Sequence, residues 1–326
     1  MHYRTTDDAL RNRIKAAAQN KGLDTQKATS RYAAERVVDH FNDAMGGAPV
    51  LLVGGLQYPQ EIRPTTDADL RSVVRYSDDE LLRGCQRLKD MLRPEGVDIH
   101  DVRFRELHVG PNEPVKRLHV QASVGGMRGN TQIDISSGYW GKDAWSAAWT
   151  ADVEHESFFR GGPSYRANVQ SVEASLAEKW LAVFTQPDHD LSAKHRLDVI
   201  FLTYQLDITI DPVKVASEMA RLQRHRGVAW QDILPRPLHA MRLDPMIDRV
   251  EDWSRLCKER GLTDMDVLQG SLALNRAWAP INRLWKSEAL ADHRNPGARR
   301  TEKQRRADIG ALPPEPRWDN VVSLRR

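Results

Sequence analysis

Three acidic residues and a glycine pair carry the strongest chemical signal in the chain. Asp67 and Asp69 alternate within "TDADL", so in a strand both carboxylates would project from one face. Asp134 lies inside "TQIDIS", a second segment with strand-like alternation, and Gly54 and Gly55 end the apolar run "APVLLV". We therefore predict three carboxylates on adjacent strands, close to a glycine turn.

This set of side chains suits metal-assisted chemistry on phosphate. Neighbouring carboxylates repel each other unless a cation or a proton compensates them. Mg²⁺ prefers one or two protein carboxylates plus substrate phosphate oxygens, and a third carboxylate suits a two-metal nucleotidyl-transfer site. Glycines between a strand and a helix let backbone amides approach a phosphate. Each of these motifs has a more common explanation when it is taken alone. A D-x-D pair is more often two solvated acids in a loop, and a Gly-Gly pair more often marks a tight turn. An aspartate in a strand is more often simply exposed. The ordered set is more specific.

Helices and strands that would position these residues follow from hydrophobic spacing. Residues 5–20 and the segment "TSRYAAERVVDHFNDAMGG" predict amphipathic helices, the second stopped by its two glycines. "SDDELLRGCQRLKDML" predicts a third helix, and "RLHVQASV" and "TQIDIS" predict paired strands. In these strands Leu118, Val120, Ile133 and Ile135 point inward, which turns Asp134 to the opposite face. Residues 138–165 look loop-like, and from about residue 168 the pattern is helical, beginning with "NVQSVEASLAEKWLAVF".

The overall prediction is an α+β protein: a nucleotidyltransferase-type mixed-sheet domain followed by an all-helical C-terminal domain. For the 326 residues we expect domains at 1–165 and 166–290, and a basic tail or peripheral arm at 291–326. The net charge of +3 gives no global field that would demand a nucleic-acid partner. The two cysteines are far apart in the sequence, which fits a reducing cytoplasm. We see neither an apolar leader nor an apolar run long enough to span a membrane, so we expect a cytoplasmic protein without a membrane partner.

The order of these motifs resembles the AbiEii family of toxin nucleotidyltransferases, which have the polymerase-β-type fold. The family pattern is a helix with E-R, a glycine pair, R-x-T-x-D-h-D-L and a later A-E-K helix. The matching positions in this chain are Glu35, Arg36, Gly54, Gly55, Arg63, Thr65, Asp67, Asp69, Leu70 and 177–179. Val53 stands where the family has a lysine before the glycines, and only Asp198 matches the aspartates of the last motif.

The resemblance assigns roles to these residues. Asp67, Asp69 and Asp134 would hold the metal, Mg²⁺ or Mn²⁺. Gly54, Gly55, Arg63, Thr65, Lys179 and Asp198 would bind the nucleoside triphosphate, and Lys179 would also assist catalysis. Lys179 has a plainer alternative as a solvated helix lysine, and Asp198 as an i,i+4 partner of Lys194.

The activity implied by the resemblance is transfer of a nucleotide from a triphosphate to an acceptor hydroxyl, with release of pyrophosphate. The implied acceptor is an RNA, in particular a tRNA 3′ end, and the implied role is that of a toxin with a cognate antitoxin. Two alternatives stay open. One is a degenerate transferase fold that binds nucleotide or RNA without turnover, and the other is a nucleotidyltransferase that modifies a protein hydroxyl.

Overall fold

A computed structural model describes most of the first half of the chain and a set of helices in the second half. The described residues are 7–48, 50–58, 65–72, 74–110, 113–137, 149–185, 191–204, 209–226, 254–255, 257–258 and 267–294. The chain divides into two compact units, Met1–Ser171 and Val172–Arg326. Among the helices described, none is long and apolar enough to cross a membrane.

The first unit is a mixed sheet with helices on one face. Its helices are α1 (Asp7–Asn20), α2 (Thr25–Ala44) and α3 (Asp78–Leu92). Its strands are β1 (Val50–Val53), β2 (Ala68–Ser72), β3 (Val97–Gly110), β4 (Glu113–Val124), β5 (Met127–Arg128), β6 (Thr131–Ser137), β7 (Trp149–His155) and β8 (Tyr165–Gln170). The strand order is β3-β4-β6-β2-β1-β8-β7, and β5 pairs with β4. β2 runs parallel to β6 and β1 parallel to β8, whereas the other pairs are antiparallel.

Local signals set the helix boundaries. Asp24 caps α2 by accepting from the Lys27 amide at 2.9 Å, and Gly46 and Gly47 follow the helix with φ of 89° and 80°. The left-handed conformation at both glycines ends the helix as the sequence predicts. α3 begins with a full capping box between Ser77 and Glu80, which matches its predicted start.

The two faces of the sheet differ in character. Ile133 and Ile135 of β6 and Leu118 and Val120 of β4 are buried in the core formed with α1, α2 and α3, as predicted. The alternate residues of these strands project from the opposite side, which we call the polar face and define by Asp69, Asp134 and Arg117. Strand periodicity therefore sends the carboxylates away from the helices.

Four strands were not predicted. The long β3 and the two-residue β5 were missed, β7 lies inside the segment 138–165 that looked like a loop, and β8 covers residues assigned to the start of a helix. The predicted helix from residue 168 is therefore wrong at its start, because the helix begins only at Val172. Asn168 and Val169 instead pair with Leu51 and Leu52 of β1. That pairing is a long-range contact, and local periodicity carries no signal for it.

The described elements of the second unit are all helices, so the predicted fold class, a mixed sheet followed by a helical region, is confirmed. They are α4 (Val172–Thr185), α5 (Leu191–Tyr204), α6 (Pro212–Arg226) and α7 (Val267–Arg294). Trp180, Phe184 and Trp278 pack against one another in the core of this unit, with ring centroids 4.6–5.6 Å apart. α7 continues past the predicted boundary at 290, and residues 295–326 of the predicted tail lie outside the described residues.

An ion pair between His40 and Glu95 links α2 to the turn that follows α3. His40 Nε2 lies 2.8 Å from Glu95 Oε1, and both side chains are largely buried. The hydrogen bond to Glu95 raises the pKa of the His40 imidazole, against the opposing effect of burial. Because the folded pKa exceeds the unfolded one, the pair stabilises fully below about pH 6.5 and loses this effect as the pH rises through the folded pKa.

We expect the substitution His40→Gln to destabilise the protein by about 1 kcal/mol at pH 6 and by clearly less at pH 8.5, because the charged pair exists only at the lower pH. Urea unfolding of both proteins at the two pH values measures the difference. When Glu95→Gln is already present, adding His40→Gln should cause no further pH-dependent loss of stability. An equal cost of His40→Gln at both pH values would contradict the assignment.

Candidate active site

One row of the polar face brings two of the predicted carboxylates together. Asp69 of β2 is the direct partner of Asp134 on the parallel neighbour β6, and Asp134 is the direct partner of Arg117 on β4. On the other side of β2, Val53 pairs with Asp69. Direct partners on neighbouring strands project to the same face. Asp69 and Asp134 are therefore side by side, although 65 positions separate them in the chain.

Asp67 lies just outside this row. It precedes β2 and is exposed, whereas Asp69 within the strand is partly buried. Thr65 Oγ1 accepts from the Asp67 amide at 3.4 Å, so the threonine of the family pattern shapes the turn into the strand. Arg63 lies outside the described residues.

Gly54 gives space to the Asp69 carboxylate. Gly54 has φ of 73°, in the left-handed region that favours glycine, and a Cβ at this position would overlap Oδ2 of Asp69. From the sequence, Gly54 is expected to let a phosphate approach the backbone. In the structure, the atom that a Cβ at this position would meet first belongs to the Asp69 side chain. Gly55 follows it, buried in a 3₁₀ turn over Gly54–Gln57.

Two buried side chains hold that turn in place. Arg31 of α2 donates from Nη2 to the carbonyl oxygens of Leu56 and Tyr58 at 3.1 and 3.2 Å. The Tyr165 hydroxyl donates to the Leu56 carbonyl at 2.7 Å. The turn beside Asp69 is thus fixed both from the helix layer and from β8. Neither residue was predicted from the sequence, in which Arg31 is an arginine within a predicted amphipathic helix.

The Glu35-Arg36 pair of the family pattern serves as a structural anchor. Glu35 accepts from Arg31 Nε at 2.8 Å and from Ser157 Oγ at 3.0 Å. Burial raises the pKa of the Glu35 carboxyl, and its bonds to Arg31 and Ser157 act in the opposite direction. Arg36 donates to the carbonyls of Pro163 and Ser164, both at 3.0 Å. Through these contacts α2 organises the segment that leads into β8.

Arg117 is the main residue that sequence reasoning missed. Its Nε donates to Oδ1 of Asp134 at 2.8 Å and its Nη2 to Oδ2 at 2.7 Å, a bidentate pair in which both side chains are mostly buried. These hydrogen bonds, with added attraction from the charges of Asp67 and Asp69, raise the pKa of the Arg117 guanidinium. All three predicted carboxylates therefore act on one arginine.

Lys179 and Asp198 pair with each other inside the second unit. Lys179 Nζ on α4 lies 3.1 Å from Asp198 Oδ2 on α5, and the two side chains are 17% and 2% exposed. Lys179 is therefore not a fully solvated helix lysine. The predicted nucleotide-binding roles of both residues stay predictions, as does the catalytic role of Lys179.

Within the described part of the chain, no group of three histidine, cysteine or acidic side chains is arranged to hold a metal ion. Asp134 lies beside Asp69 in the sheet, and both of its oxygens accept hydrogen bonds from Arg117. The roles of Asp67, Asp69 and Asp134 as metal ligands stay predictions.

The similarities that comparison with known proteins finds are structural, and they are weak. No family model matches the chain, and no curated protein matches it. The crystal structure of JHP933 from Helicobacter pylori resembles it with a TM-score of 0.47 and 14% identity, over 81% of this chain and 97% of that one. A proposed nucleotidyltransferase from H. pylori resembles it with a TM-score of 0.45 and 15% identity, over 83% and 97% of the two chains. Similarities this distant carry no argument about activity.

We expect the substitution Gly54→Ala to destabilise the protein by about 1–3 kcal/mol more than Gly46→Ala. Both glycines have positive φ, but a Cβ at Gly46 meets nothing within 4 Å, whereas one at Gly54 overlaps Asp69. Urea unfolding measures both costs. Adding Asp69→Ala to Gly54→Ala should remove the excess, and equal costs for the two glycines would show that Asp69 does not set the requirement.

We expect Lys179→Met to cost about 3–5 kcal/mol, because it removes the cation that lies 3.1 Å from the buried Asp198 carboxylate. The double variant Lys179→Met/Asp198→Asn should recover a large part of that loss. Thermal or urea unfolding of the single and double variants gives the coupling energy. The exposed Lys214 on α6 supplies the control, since Lys214→Met should change stability little. Additive effects of the two substitutions would argue against the pair.

Proposed function

We propose that this protein is a nucleotidyltransferase that acts with Mg²⁺ or Mn²⁺ on a nucleoside triphosphate. One observation carries the proposal: Asp69 and Asp134 are direct partners on parallel neighbouring strands, beside a glycine turn whose Gly54 leaves room for the Asp69 carboxylate. Two acids placed side by side on a sheet face need compensating positive charge; Arg117 supplies it at Asp134, and we propose that a divalent cation adds to it at Asp69. The pairing matches the expectation drawn from the ordered motifs.

Asp67 and Asp69 are the proposed ligands of one divalent cation. Asp67 and Asp69 supply two carboxylates at the end of a strand, and Asp67 is exposed to solvent. Two protein carboxylates, completed by water and phosphate oxygens, form a set of ligands that Mg²⁺ prefers. Bound there, the cation would neutralise the acidic pair and orient the phosphates of the triphosphate.

The proposed reaction forms one phosphorus–oxygen bond and breaks another. The oxygen of the acceptor hydroxyl bonds to the α-phosphorus, the bond from that phosphorus to the bridging oxygen breaks, and pyrophosphate leaves with the bond's electron pair. The hydroxyl proton passes to solvent or to a carboxylate oxygen of the site. In this scheme Asp67 and Asp69 bind and orient, and the rigid Gly54–Gln57 turn keeps Asp69 in position. Lys179, Asp198, Arg63 and Thr65 are the further residues proposed to bind the triphosphate.

The finer assignment follows from the motif resemblance. We propose a cytoplasmic toxin of an AbiE-like, type IV toxin–antitoxin system, with a tRNA 3′ end as acceptor and a cognate antitoxin as partner. A protein hydroxyl would require the same chemistry at phosphorus and differs only in the acceptor.

A non-catalytic nucleotide- or RNA-binding protein is the second candidate. The observation that favours it is the bidentate pair between Arg117 and Asp134, which removes one carboxylate from direct use. Pyrophosphate release separates the two candidates, because a binding protein would hold the triphosphate without cleaving it.

The decisive experiment incubates the full chain with each labelled triphosphate, Mg²⁺ and total tRNA. We expect labelled RNA and pyrophosphate from the wild type, and a rate lower by about 10²-fold or more in Asp69→Asn and in Asp67→Asn. The matched control is Asp101→Asn on β3, which removes a half-exposed aspartate from the same face and should keep the wild-type rate. Wild-type rates in both site variants would overturn the assignment. Triphosphate binding without any turnover would favour the second candidate.

A further inference from the structure

The polar face continues beyond Arg117 toward the edge strand β3. Direct cross-strand partners project to one side of a sheet, so Arg105 of β3 shares the face of Arg117, and Arg128 of β5 shares the face of Ser123. Alternation along β4 sends every second residue after Arg117 to this face as well. We call the region the outer half of the polar face and define it by Arg105, His119, Gln121, Ser123 and Arg128.

Arg105 places a second positive charge directly beside Arg117. Like charges opposite each other on a sheet are destabilising. Asp134 balances the charge of Arg117, whereas Arg105 is exposed and has neither a hydrogen bond nor an ion pair within the described part of the chain. Arg103, at the next exposed position of β3, differs because it pairs with Asp101 at 2.8 Å. An anion bound at Arg105 would reduce the repulsion between the two arginines.

An open depression of about 350 Å³ lies at the other end of the outer half. It is lined by Ala122 and by the polar residues His100, Gln121, Ser123, Arg128 and Asn130. With the Asn130 amide oriented to accept, Arg128 donates to its oxygen from Nε and Nη2 at 3.0 and 3.1 Å. Amide groups both donate and accept hydrogen bonds, which is what the edges of an unpaired base require. The depression thus combines a cation for a phosphate with groups that can hydrogen-bond a base.

The two arginines of the outer half are too far apart for one small anion. Arg105 is level with Arg117 on β4 and Arg128 is level with Ser123, and six residues of an extended strand cover about 20 Å. His119 and Gln121 are exposed between these two levels. A single phosphate cannot contact both ends of this line, whereas the repeated phosphates of an extended nucleic-acid strand can.

We propose that the outer half of the polar face binds the single-stranded end of a nucleic acid. Arg105 and Arg128 contact phosphates, and the depression beside Arg128 takes a base. The amide groups favour a nucleic acid over an acidic peptide, because a base offers donors and acceptors next to each phosphate. That the bound strand is the acceptor rests on the proposed function, since Arg105 lies in the same row of the sheet as Asp134 and Asp69.

Fluorescence anisotropy of a labelled single-stranded RNA of about 12 nucleotides tests the surface on the full chain, without triphosphate or divalent metal. We expect Arg105→Met and Arg128→Met each to weaken binding about fivefold. Each should also lower the slope of log affinity against log salt by about 0.7, because one phosphate contact is lost. Gln121→Leu should weaken binding by about fivefold with the slope unchanged, because it removes a contact to a base.

Two further variants control for charge and for folding. Arg83 is an exposed arginine of α3, on the helix side of the sheet, so Arg83→Met removes the same charge and should keep wild-type affinity and slope. Arg105→Lys keeps the charge and should retain the slope. Urea unfolding of every variant shows that the fold is kept, as expected for exposed side chains.

No RNA binding by the wild type, or wild-type affinity and slope in both arginine variants, would overturn the inference; the arginines would then only keep an exposed edge strand from pairing with other chains. Equal losses in Arg83→Met would overturn it too, because net charge alone would explain them. Polyglutamate that displaces the RNA as well as unlabelled RNA does would exclude a nucleic-acid site.

The proposed function fails separately from this surface. RNA binding that depends on Arg105 and Arg128, without pyrophosphate from any triphosphate, would keep the surface and lose the transferase assignment. Transfer to RNA with an unchanged RNA affinity in both arginine variants would do the reverse.

Discussion

The parallel pairing of β2 with β6 is the constraint on which the polar face depends. It sets Asp69 directly beside Asp134, and two neighbouring carboxylates must be compensated. Arg117 on β4 compensates the charge of Asp134, and the glycine at position 54 leaves room for the Asp69 carboxylate. A shift of one residue in either strand would turn one carboxylate into the helix-packed core. The alternation of apolar residues in β4 and β6 therefore determines the face from which Arg117 and Asp134 project, as well as which residues pack in the core.

A second layer of buried polar contacts makes this arrangement rigid. Arg31 reaches from α2 to two carbonyl groups at the glycine turn, and Tyr165 reaches the same turn from β8. Glu35 and Arg36 extend the contacts of α2 to the segment before β8. In an interior of low polarity, hydrogen bonds of this kind are strong and specify one geometry. The residues that match the family pattern in α2 thus act on the site through the backbone.

How much of this could be predicted depends on whether the signal is local. The inward residues of β4 and β6, the glycine stop after α2 and the start of α3 follow from spacing of a few residues, and the sequence predicts them correctly. The pairing of Asp69 with Asp134 was expected in outline, because three acids on adjacent strands suit a metal. Arg117, Tyr165 and the strand β8 could not be foreseen, since each depends on register between segments far apart. The Lys179–Asp198 pair depends likewise on how two helices pack.

Arg117 gives the Asp134 carboxylate a compensating charge within the sheet itself. The guanidinium of Arg117 is part of the chain and stays charged at any ordinary pH, so Asp134 is compensated at every cation concentration. Under the proposed function, a divalent cation at Asp67 and Asp69 would reduce the repulsion between these carboxylates and a triphosphate. Cation binding would then precede, or accompany, nucleotide binding. Without Arg117 the polar face would carry one positive charge fewer, and it would repel a polyanion more strongly.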